Sequence, residues 1–361
     1  MTRARGYLPT LDGWRAVAIL GVMIAHGFHA LLVEGAPNAN PTWYRITQYG
    51  GKGVDLFFGI SGFLICSRLL EEHEQRGRIS LRGFYIRRFM RILPPYFVYL
   101  ATLIVLSAAG LVVLSRQELL TSLLFVRNYA AIPETVGWYT AHLWSLAVEE
   151  HFYLLWPGLL VFWTPGRARL RVALFALAIA AWRVAEFRLQ LVPQLLPGAS
   201  FYLRTDIRLD ALLWGCWFAL LLREPVWKNR IAKYLSGPTW WLAAAVLVAV
   251  IVLPVPLAML WQAALWPAVV AGTVLAPDTL VGRGLEARPM RWVGRISYSL
   301  YLWQNLFLVA FGVSHFADPL QLVPWNFALC FVTALLSYRM VEKPMIRLGH
   351  RLAPPITEGR V

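Results

Sequence analysis

The sequence has few charged residues and very few cysteines. Only 15% of its 361 residues are charged, while 58% are hydrophobic and the mean hydropathy is +0.56. Soluble domains contain about 25% charged residues, so this composition excludes an ordinary soluble protein and predicts an all-α, polytopic membrane protein. Cys66, Cys216 and Cys330 each stand alone in an apolar run, which gives no disulfide framework and no metal-type cysteine spacing.

Acidic residues are scarce as well. The chain has 19 Asp and Glu against 34 Lys and Arg, and a net charge of +15. A basic protein can bind nucleic acid, but here the basic residues are scattered between apolar runs, as in the positively charged cytoplasmic loops of membrane proteins. We therefore expect contact with a lipid bilayer and none with nucleic acid.

Ten apolar runs are long enough to cross a bilayer at about 1.5 Å per residue. They fall near residues 13–33, 54–70, 92–114, 143–163, 170–187, 209–222, 239–253, 257–276, 296–313 and 322–341. The run at 119–126 is too short and is interpreted as re-entrant or interfacial. With a cytoplasmic N-terminus, the cytoplasmic segments hold about three times as many Lys and Arg as the outer segments. This predicts a multi-pass protein of the inner (plasma) membrane with both termini cytoplasmic, a membrane domain over 1–345 and a short cytoplasmic tail over 346–361.

The first apolar run contains two ionisable residues, Arg15 and His26. An ionisable group at membrane depth costs at least ~2.5 kcal/mol and needs a partner, a wet cavity or a function. Eleven residues make three helical turns and about 20°, so both side chains lie on one face, about 16 Å apart. The alternative is an arginine that snorkels to the interface and a histidine hydrogen-bonded within the bundle.

Two further clusters lie at the ends of apolar runs. Asp55 lies near the outer end of the second run, where it is either an interfacial cap or a site residue; the glycines that follow it, Gly59 and Gly62, are expected to serve close helix packing. At the cytoplasmic end of the third run, Arg88 and Arg91 share a helix face, with Arg87 adjacent. Such arginines suit either bidentate phosphate binding or anchoring at anionic headgroups.

The segment AHLWSLAVEEHFYLLWP, residues 141–157, places polar groups on one face of a helix. His142, Ser145 and Glu149 share that face on successive turns. One helix face seldom supplies the geometry of a hydrolase triad, so we favour a carboxylate that orients a histidine from another helix. Glu149 or Asp55 would orient His26 in this way.

Two more segments combine charge with apolar sequence. In RTDIRLDALLWG, residues 204–215, Arg and Asp alternate up to Arg208 and Asp210, and we expect these charges to pair with one another. In SYRMVEKP, residues 337–344, Glu342 with Lys343 is predicted to form a charge pair at a helix end.

Seven strings, in this order, resemble the motifs of acyltransferase family 3, the integral-membrane O-acyltransferases. The strings are RAVAILGVMIAH, GVDLFFGISGFLI, RRFMRILPPY, HLWSLAVEEHFYLLWP, RLDALLWG, GRISYSLYLWQ and SYRMVEKP. The resemblance implies transfer of an acyl group, often acetyl from acetyl-CoA, to hydroxyls of surface polysaccharides, peptidoglycan or macrolide-type small molecules. It implies that Arg15 and His26 are the catalytic pair, and that Arg88 and Arg91 are the RxxR pair of the third helix. His151 stands where the family often has Gln, so no family role is assigned to it.

The expected site follows from the topology and the resemblance together. CoA is a cytoplasmic polyanion whose phosphates would bind Arg88, Arg91 and Arg87, and its thioester arm could reach His26. His26 would be the general base for the acceptor hydroxyl, or a nucleophile that carries the acyl group. Acyl-CoA is expected as a co-substrate, with no bound cofactor and no metal. The residues expected to support the site or contact a glycan, glycolipid or small-molecule acceptor are Asp55, Trp144, Ser145, Arg208, Asp210, Ser337, Tyr338 and Glu342.

Two other classes of function remain open at this point. A transporter or flippase would also line a path with intramembrane Arg and His. A non-catalytic assembly protein would use the same polar residues for helix packing.

Overall fold

A computed structural model describes residues 7–27, 49–133, 136–163, 165–235, 237–309 and 322–353, apart from the side chains of residues 165 and 166. Within these ranges the chain is helical and contains no strand, as predicted. The helices are α1 (Pro9–Gly27), α2 (Gly53–Arg76), α3 (Leu81–Ala108), α4 (Arg116–Leu123), α5 (Trp138–Ala141), α6 (Leu143–Phe162), α7 (Pro165–Leu189), α8 (Leu191–Leu195), α9 (Thr205–Leu221), α10 (Pro225–Tyr234), α11 (Pro238–Val252), α12 (Ala258–Leu275), α13 (Leu280–Leu285), α14 (Arg288–Arg295), α15 (Ser297–Phe307), α16 (Trp325–Ser337) and α17 (Lys343–Leu352).

Several helices are apolar enough to cross a membrane. In the described ranges, three pass a test of both length and hydropathy: Tyr49–Arg76, which is α2 with the short 3₁₀ turn before it, then α3 and α12. A fourth is obtained if α10 and α11, bent by 79°, are taken as one span. Other helices coincide with predicted spans but contain polar residues, as α6 does with Glu149 and Glu150 near its middle.

The helices pack around α2, which contacts α1, α6, α9 and α12. Close approach of α2 and α9 depends on glycine. A Cβ atom at Gly62 would lie 1.9 Å from the carbonyl oxygen of Leu212, and one at Gly215 would lie 2.3 Å from that of Gly59. No side chain fits there, so the packing role predicted for the glycines of this segment is confirmed at Gly62.

The short apolar run at 119–126 forms α4 and the turn after it. Ser115 and Glu118 begin α4 with a reciprocal capping box, and the buried Glu118 carboxylate also accepts a hydrogen bond from Thr140 Oγ1 at 3.0 Å. Thr140 belongs to α5, so α4 is fixed to the segment that leads into α6.

The chain after α16 continues without a break through one π-helical turn, Tyr338–Glu342, into α17. The wider turn places Glu342 inside the bundle, with no exposed surface, while Lys343 is exposed. The predicted Glu342–Lys343 pair is therefore wrong. α17 packs on α3, so residues 346–352 of the predicted tail form part of the folded bundle.

Candidate active site

An open cavity lies between α1, α2, α3, α6 and α15, with an empty volume of about 810 Å³ that includes space open to solvent. One residue of α1 reaches it, and the other helices supply the rest of its wall. The lining residues are Arg15, Val54, Phe57, Phe58, Ile60, Ser61, Leu64, Ile65, Arg88, Arg91, Ile92, Ser145, Leu146, Glu149, Tyr153, Ser297, Tyr298 and Tyr301. The cavity therefore brings together residues from five of the motifs that the sequence singled out.

Three arginines define one part of this cavity, which we call the arginine end. Arg15, Arg88 and Arg91 all line it. The Arg88 guanidinium lies over the rings of Phe84 and Tyr153, at 5.7 and 5.2 Å from the ring centroids. No carboxylate of the described residues lies within ion-pair distance of these three guanidinium groups, which leaves them able to bind an anion.

Arg87 does not share this position. Its Nη2 forms an ion pair with Glu72 at 3.1 Å, and Glu72 also accepts a bond from Arg76 at 3.3 Å. Successive residues of a helix point about 100° apart, so Arg88 faces the cavity while Arg87 faces the end of α2. The predicted grouping of Arg87 with the other two is corrected.

Glu149 lies in the cavity wall and accepts hydrogen bonds on both carboxylate oxygens. Ser61 Oγ donates to one at 2.6 Å, and Tyr153 Oη donates to the other at 3.0 Å. Asp55 is a partner of Arg208, whose guanidinium stacks at 5.5 Å over Phe58 and over Trp144. Both carboxylates proposed to orient His26 thus bond to other groups, and that hypothesis is not supported.

His26 is not among the described residues that line the cavity, but its surroundings adjoin it. The His26 ring meets the Trp138 ring edge-on, with the centroids 5.4 Å apart. Trp138 Nε1 donates to the Asn305 carbonyl at 3.1 Å, and Asn305 Nδ2 donates back to the Trp138 carbonyl at 2.8 Å. His142, one turn along the chain from Trp138, interacts electrostatically with His26.

The helix α15 connects the arginine end to His26. Near its start, Tyr298 Oη donates to the Ile92 carbonyl, beside Arg91, at 2.8 Å. One turn later, the Tyr301 hydroxyl lies 2.6 Å from Ser145 Oγ, and the Leu302 carbonyl lies 3.1 Å from His142 Nε2, which must donate. Asn305 follows against Trp138. The contacts along α15 therefore run in order from the arginines to the neighbour of His26.

The charges of residues 204–210 pair mostly with other helices. Arg204 pairs with Asp206 at 2.7 Å, as predicted, and with Glu186 at 2.8 Å. Asp210 pairs with Arg183, and Arg208 with Asp55. Helical residues two apart lie about 200° from each other, so Arg208 and Asp210 point to opposite sides. The expectation of mutual pairing is wrong for these two.

The ion pairs of residues 204–210 extend to polar groups of α6 and α7. Burial alone would raise the pKa of Asp206, but hydrogen bonds from Arg204 and Trp182 outweigh burial and hold this pKa below its usual value. His151 Nδ1 lies 2.7 Å from Thr205 Oγ1. His151 thus connects α6 to the start of α9.

The residues of the last motif are divided. Glu342 accepts a hydrogen bond from Ser299 at 2.7 Å and interacts electrostatically with Arg91 and Arg15, so it lies next to the arginine end. Ser337 is buried in α16, and Tyr338 packs against the apolar cluster around Met23. Neither of these two residues lines the cavity.

Sequence reasoning missed several hydroxyl groups of the cavity. Ser61, Tyr153, Ser297 and Tyr301 all line it, and all lie inside strings quoted for the family resemblance. Their positions relative to Glu149 and Ser145 depend on how α2, α6 and α15 meet. Over the described residues, no three His, Cys, Asp or Glu side chains form a group that could hold a metal ion.

Residues 8–340 match the model of family Acyl_transf_3, described as an acyltransferase domain. The chain belongs to this acyltransferase family. The resemblance to acyltransferase family 3 is thereby confirmed. No solved structure matches the chain significantly.

Curated relatives are similar over nearly the whole chain. Peptidoglycan O-acetyltransferase OatA of Listeria monocytogenes is 28% identical over 96% of this chain and 57% of its own length. A Bacillus subtilis protein named "Putative peptidoglycan O-acetyltransferase YrhL" is 30% identical over 97% of this chain and 56% of its own. A Staphylococcus aureus (strain COL) protein named "Putative O-acetyltransferase" is 28% identical, over 95% and 58%. The chain thus spans little more than half the length of these relatives.

Proposed function

We propose that this protein is an integral-membrane O-acyltransferase that moves an acyl group, acetyl in the first instance, from acyl-CoA to a hydroxyl of a cell-surface or lipid-linked carbohydrate. The observation that carries the proposal is the cavity of about 810 Å³ with three arginines at one end and the neighbours of His26 beyond the other. It joins an anion-binding group to a proton acceptor, which are the two requirements of CoA-dependent acyl transfer.

The arginine end supports CoA as the donor. Arg88 and Arg91 supply guanidinium groups suited to bidentate phosphate contacts. The cavity leads from these arginines along α15 towards the groups around His26, so the extended thioester arm of CoA would lie in it, with the phosphates at its mouth. In this arrangement Arg87 is part of the fold and not of the donor site.

His26 is the group to which we assign the chemistry. In the first mechanism, His26 takes the proton of the acceptor hydroxyl as its oxygen attacks the thioester carbonyl, and returns the proton to the CoA thiolate when the C–S bond breaks. In the second, a ring nitrogen of His26 attacks the thioester carbonyl and the C–S bond breaks to release the CoA thiolate; the acceptor oxygen then takes the acyl group from the ring nitrogen, and the acceptor proton goes to the thiolate. Glu149, bonded to Ser61 and Tyr153, supports the cavity wall between the two ends.

The membrane arrangement is part of the proposal. We propose ten spans, with both termini cytoplasmic, in the plasma (inner) membrane. The apolar helices and the excess of Lys and Arg on one side support this arrangement. It places Arg15, Arg88 and Arg91 on the cytoplasmic side, where CoA is available, and His26 towards the outside.

The acceptor is proposed from the relatives' names and from chemistry. Two of the relatives above are named for O-acetylation of peptidoglycan, which favours an envelope glycan hydroxyl here. A small molecule such as a macrolide is the alternative acceptor within the same reaction class.

Mass spectrometry of cells with and without the gene tests the proposal. Envelope glycans and secreted small molecules of the wild-type strain should contain species heavier by one acyl group than those of a deletion strain. Complementation with the wild-type gene should restore the mass difference, and His26→Ala at equal protein level should not. If deletion changes no acylated species, or if His26→Ala restores the acylated species fully, the proposal is wrong.

A further inference from the structure

Gln304, in α15, is buried in a way that the fold does not explain. Its side chain has no exposed surface, and among the described residues neither its amide nitrogen nor its amide oxygen has a hydrogen-bond partner. Burying an amide without a partner costs free energy. Gln262 of α12 is similarly enclosed, at 2% exposed, and its Oε1 also has no partner, but its Nε2 donates to the Val250 carbonyl at 3.3 Å. Gln304 therefore lacks the hydrogen bond that the side-chain amide of Gln262 donates to the backbone.

Gln304 is not itself among the residues that line the cavity, but it lies on the same face of α15 as two residues that do. Ser297 and Tyr301 line the cavity, and Gln304 follows them at spacing i, i+4, i+7, which is a single stripe of a helix. Seven residues rise about 10.5 Å. Gln304 also lies between Leu302, which bonds to His142, and Asn305, which bonds to Trp138. It is thus at the depth of the groups that contact His26.

One other N–H donor at this depth lacks a partner, Trp303 Nε1, but Trp303 lies about 100° round the helix from Gln304 and packs edge-on against Tyr99. The remaining donors that surround His26 and α15 here are engaged. Trp138 Nε1 donates to the Asn305 carbonyl, and Asn305 Nδ2 donates to the Trp138 carbonyl. His142 Nε2 donates to the Leu302 carbonyl, and Tyr301 Oη donates to the His142 carbonyl at 2.8 Å. Among the described residues of α15 that follow Tyr301 on its cavity face, Gln304 is the one with a side-chain N–H donor that has no hydrogen-bond partner.

We propose that the Gln304 amide N–H donates to the carbonyl oxygen of the acyl thioester and stabilises the negative charge that forms on it. The inference rests on the proposed acyl transfer. The acceptor oxygen bonds to the carbonyl carbon while its proton moves to His26, and the electron pair of the C=O bond moves to the oxygen that faces Gln304. The C=O bond then re-forms, the C–S bond breaks, and the thiolate of CoA takes the proton from His26. Donors aimed at such an oxyanion act in the transition state.

Permeabilised cells of the source organism provide the assay, because they retain the natural acceptor. Cells of a deletion strain that express each variant receive acetyl-CoA labelled in the acetyl group, and base-labile label is counted in the envelope and in the medium. Gln304→Met keeps the length of the side chain and removes its hydrogen bonds, while Gln304→Glu removes the N–H donor alone. Both should lower the transfer rate by roughly 10²–10³-fold and leave the affinity of the purified protein for acetyl-CoA within about twofold.

Thermal unfolding of the purified variants separates catalysis from structure. Gln304→Met should unfold at the wild-type temperature or above, because it removes an unsatisfied buried amide. The matched control, Gln262→Met, should unfold at a lower temperature and transfer acetyl at the wild-type rate. A Gln304→Met protein that transfers acetyl normally, or that loses stability as the control does, would overturn the inference. If the wild-type strain transfers no more label than the deletion strain, the proposed function is wrong. If the wild-type strain transfers label and the His26→Ala strain transfers none, the proposed function stands and the Gln304 variants test only the role of Gln304.

Discussion

The arginine end makes a prediction in which two neighbouring arginines differ. Arg88 and Arg91 face the cavity without an ion pair among the described carboxylates, while Arg87 is bound to Glu72 at 3.1 Å. A charge-assisted hydrogen bond contributes roughly 1.5–3 kcal/mol, and about 1.4 kcal/mol corresponds to a tenfold change in affinity. Replacing Arg88 or Arg91 with Ala should therefore weaken acetyl-CoA binding about 10-fold to 100-fold. The two effects will not add fully, because both groups serve one site.

Arg87→Ala is the matched control. Glu72 would keep its contacts with Arg76 and with the Ser80 backbone N–H, both at 3.3 Å, so the free energy of unfolding should fall by no more than roughly 1 kcal/mol. Its acetyl-CoA affinity should stay within about twofold of wild type, since it makes no contact with the cavity.

Equilibrium binding to purified protein in detergent or nanodiscs measures these effects. Two probes are needed, acetyl-CoA and S-acetylpantetheine, which has the same thioester arm without the nucleotide phosphates. Arg88→Ala and Arg91→Ala should weaken the first and spare the second. The reasoning is refuted if Arg87→Ala weakens acetyl-CoA as much as Arg88→Ala does, or if both probes lose affinity equally.

Three further predictions concern stability, each measured by thermal unfolding in detergent. Gly62→Ala should lower the free energy of unfolding by about 1–3 kcal/mol, because its Cβ would lie 1.9 Å from a carbonyl oxygen. Gly158→Ala should raise the free energy of unfolding by about 0.5–1 kcal/mol, because nothing lies within 4 Å of its Cβ. Equal effects of the two substitutions would contradict the packing argument. Asp55→Asn leaves the buried Arg208 without its ion-pair partner and should lower the free energy of unfolding by about 3–5 kcal/mol, most of which a second substitution, Arg208→Met, should restore. If the losses of the two single variants simply add in the double variant, the two residues do not stabilise the fold as a pair. Asp206 has a lowered pKa in the folded protein, so it stabilises the fold above the ordinary Asp pKa of 3.8, and this stability is lost as the pH falls through its lower folded pKa. Asp206→Asn should therefore make the unfolding temperature less dependent on pH below pH ~4.

The sequence predicted what depends on composition and local periodicity. Helical arithmetic placed Ser145 and Glu149 on one face, and both line the cavity. It placed Arg88 and Arg91 on one face, and the structure agrees. The same spacing argument, applied more strictly, also separates Arg87 from Arg88, since adjacent helical residues diverge by about 100°.

Pairing between helices could not be predicted, because it depends on tertiary packing. Asp55 was a candidate to orient His26, but Arg208, 153 positions away, is its partner. Alternating charges in residues 204–210 suggested local pairing, which holds for Arg204 and Asp206, whereas Arg208 and Asp210 pair with residues of other helices. Glu342 was misplaced for another reason: a π-helical turn rotates the side chain inward, and no simple periodicity signals such a turn.

The hydroxyl groups of the cavity were missed because serine and tyrosine in a membrane helix have common structural roles. Ser61 and Tyr153 became notable when both were found to donate to Glu149. Tyr301 became notable through its contact with Ser145. In the contacts of Ser61 and Tyr301 the partner lies on another helix, and a single sequence does not show which helices are in contact.

The central claim is that the cavity passes an acyl group from CoA at the arginine end to an acceptor near His26. Proteoliposomes with acetyl-CoA on one face and the acceptor identified by mass spectrometry on the other test this claim most directly. We predict acetylated acceptor when acetyl-CoA is on the face of the arginine end, none when His26 is replaced by Ala, and no passage of intact acetyl-CoA. Acetylation that requires donor and acceptor on the same face, or flux of acetyl-CoA without ester formation, would contradict the account.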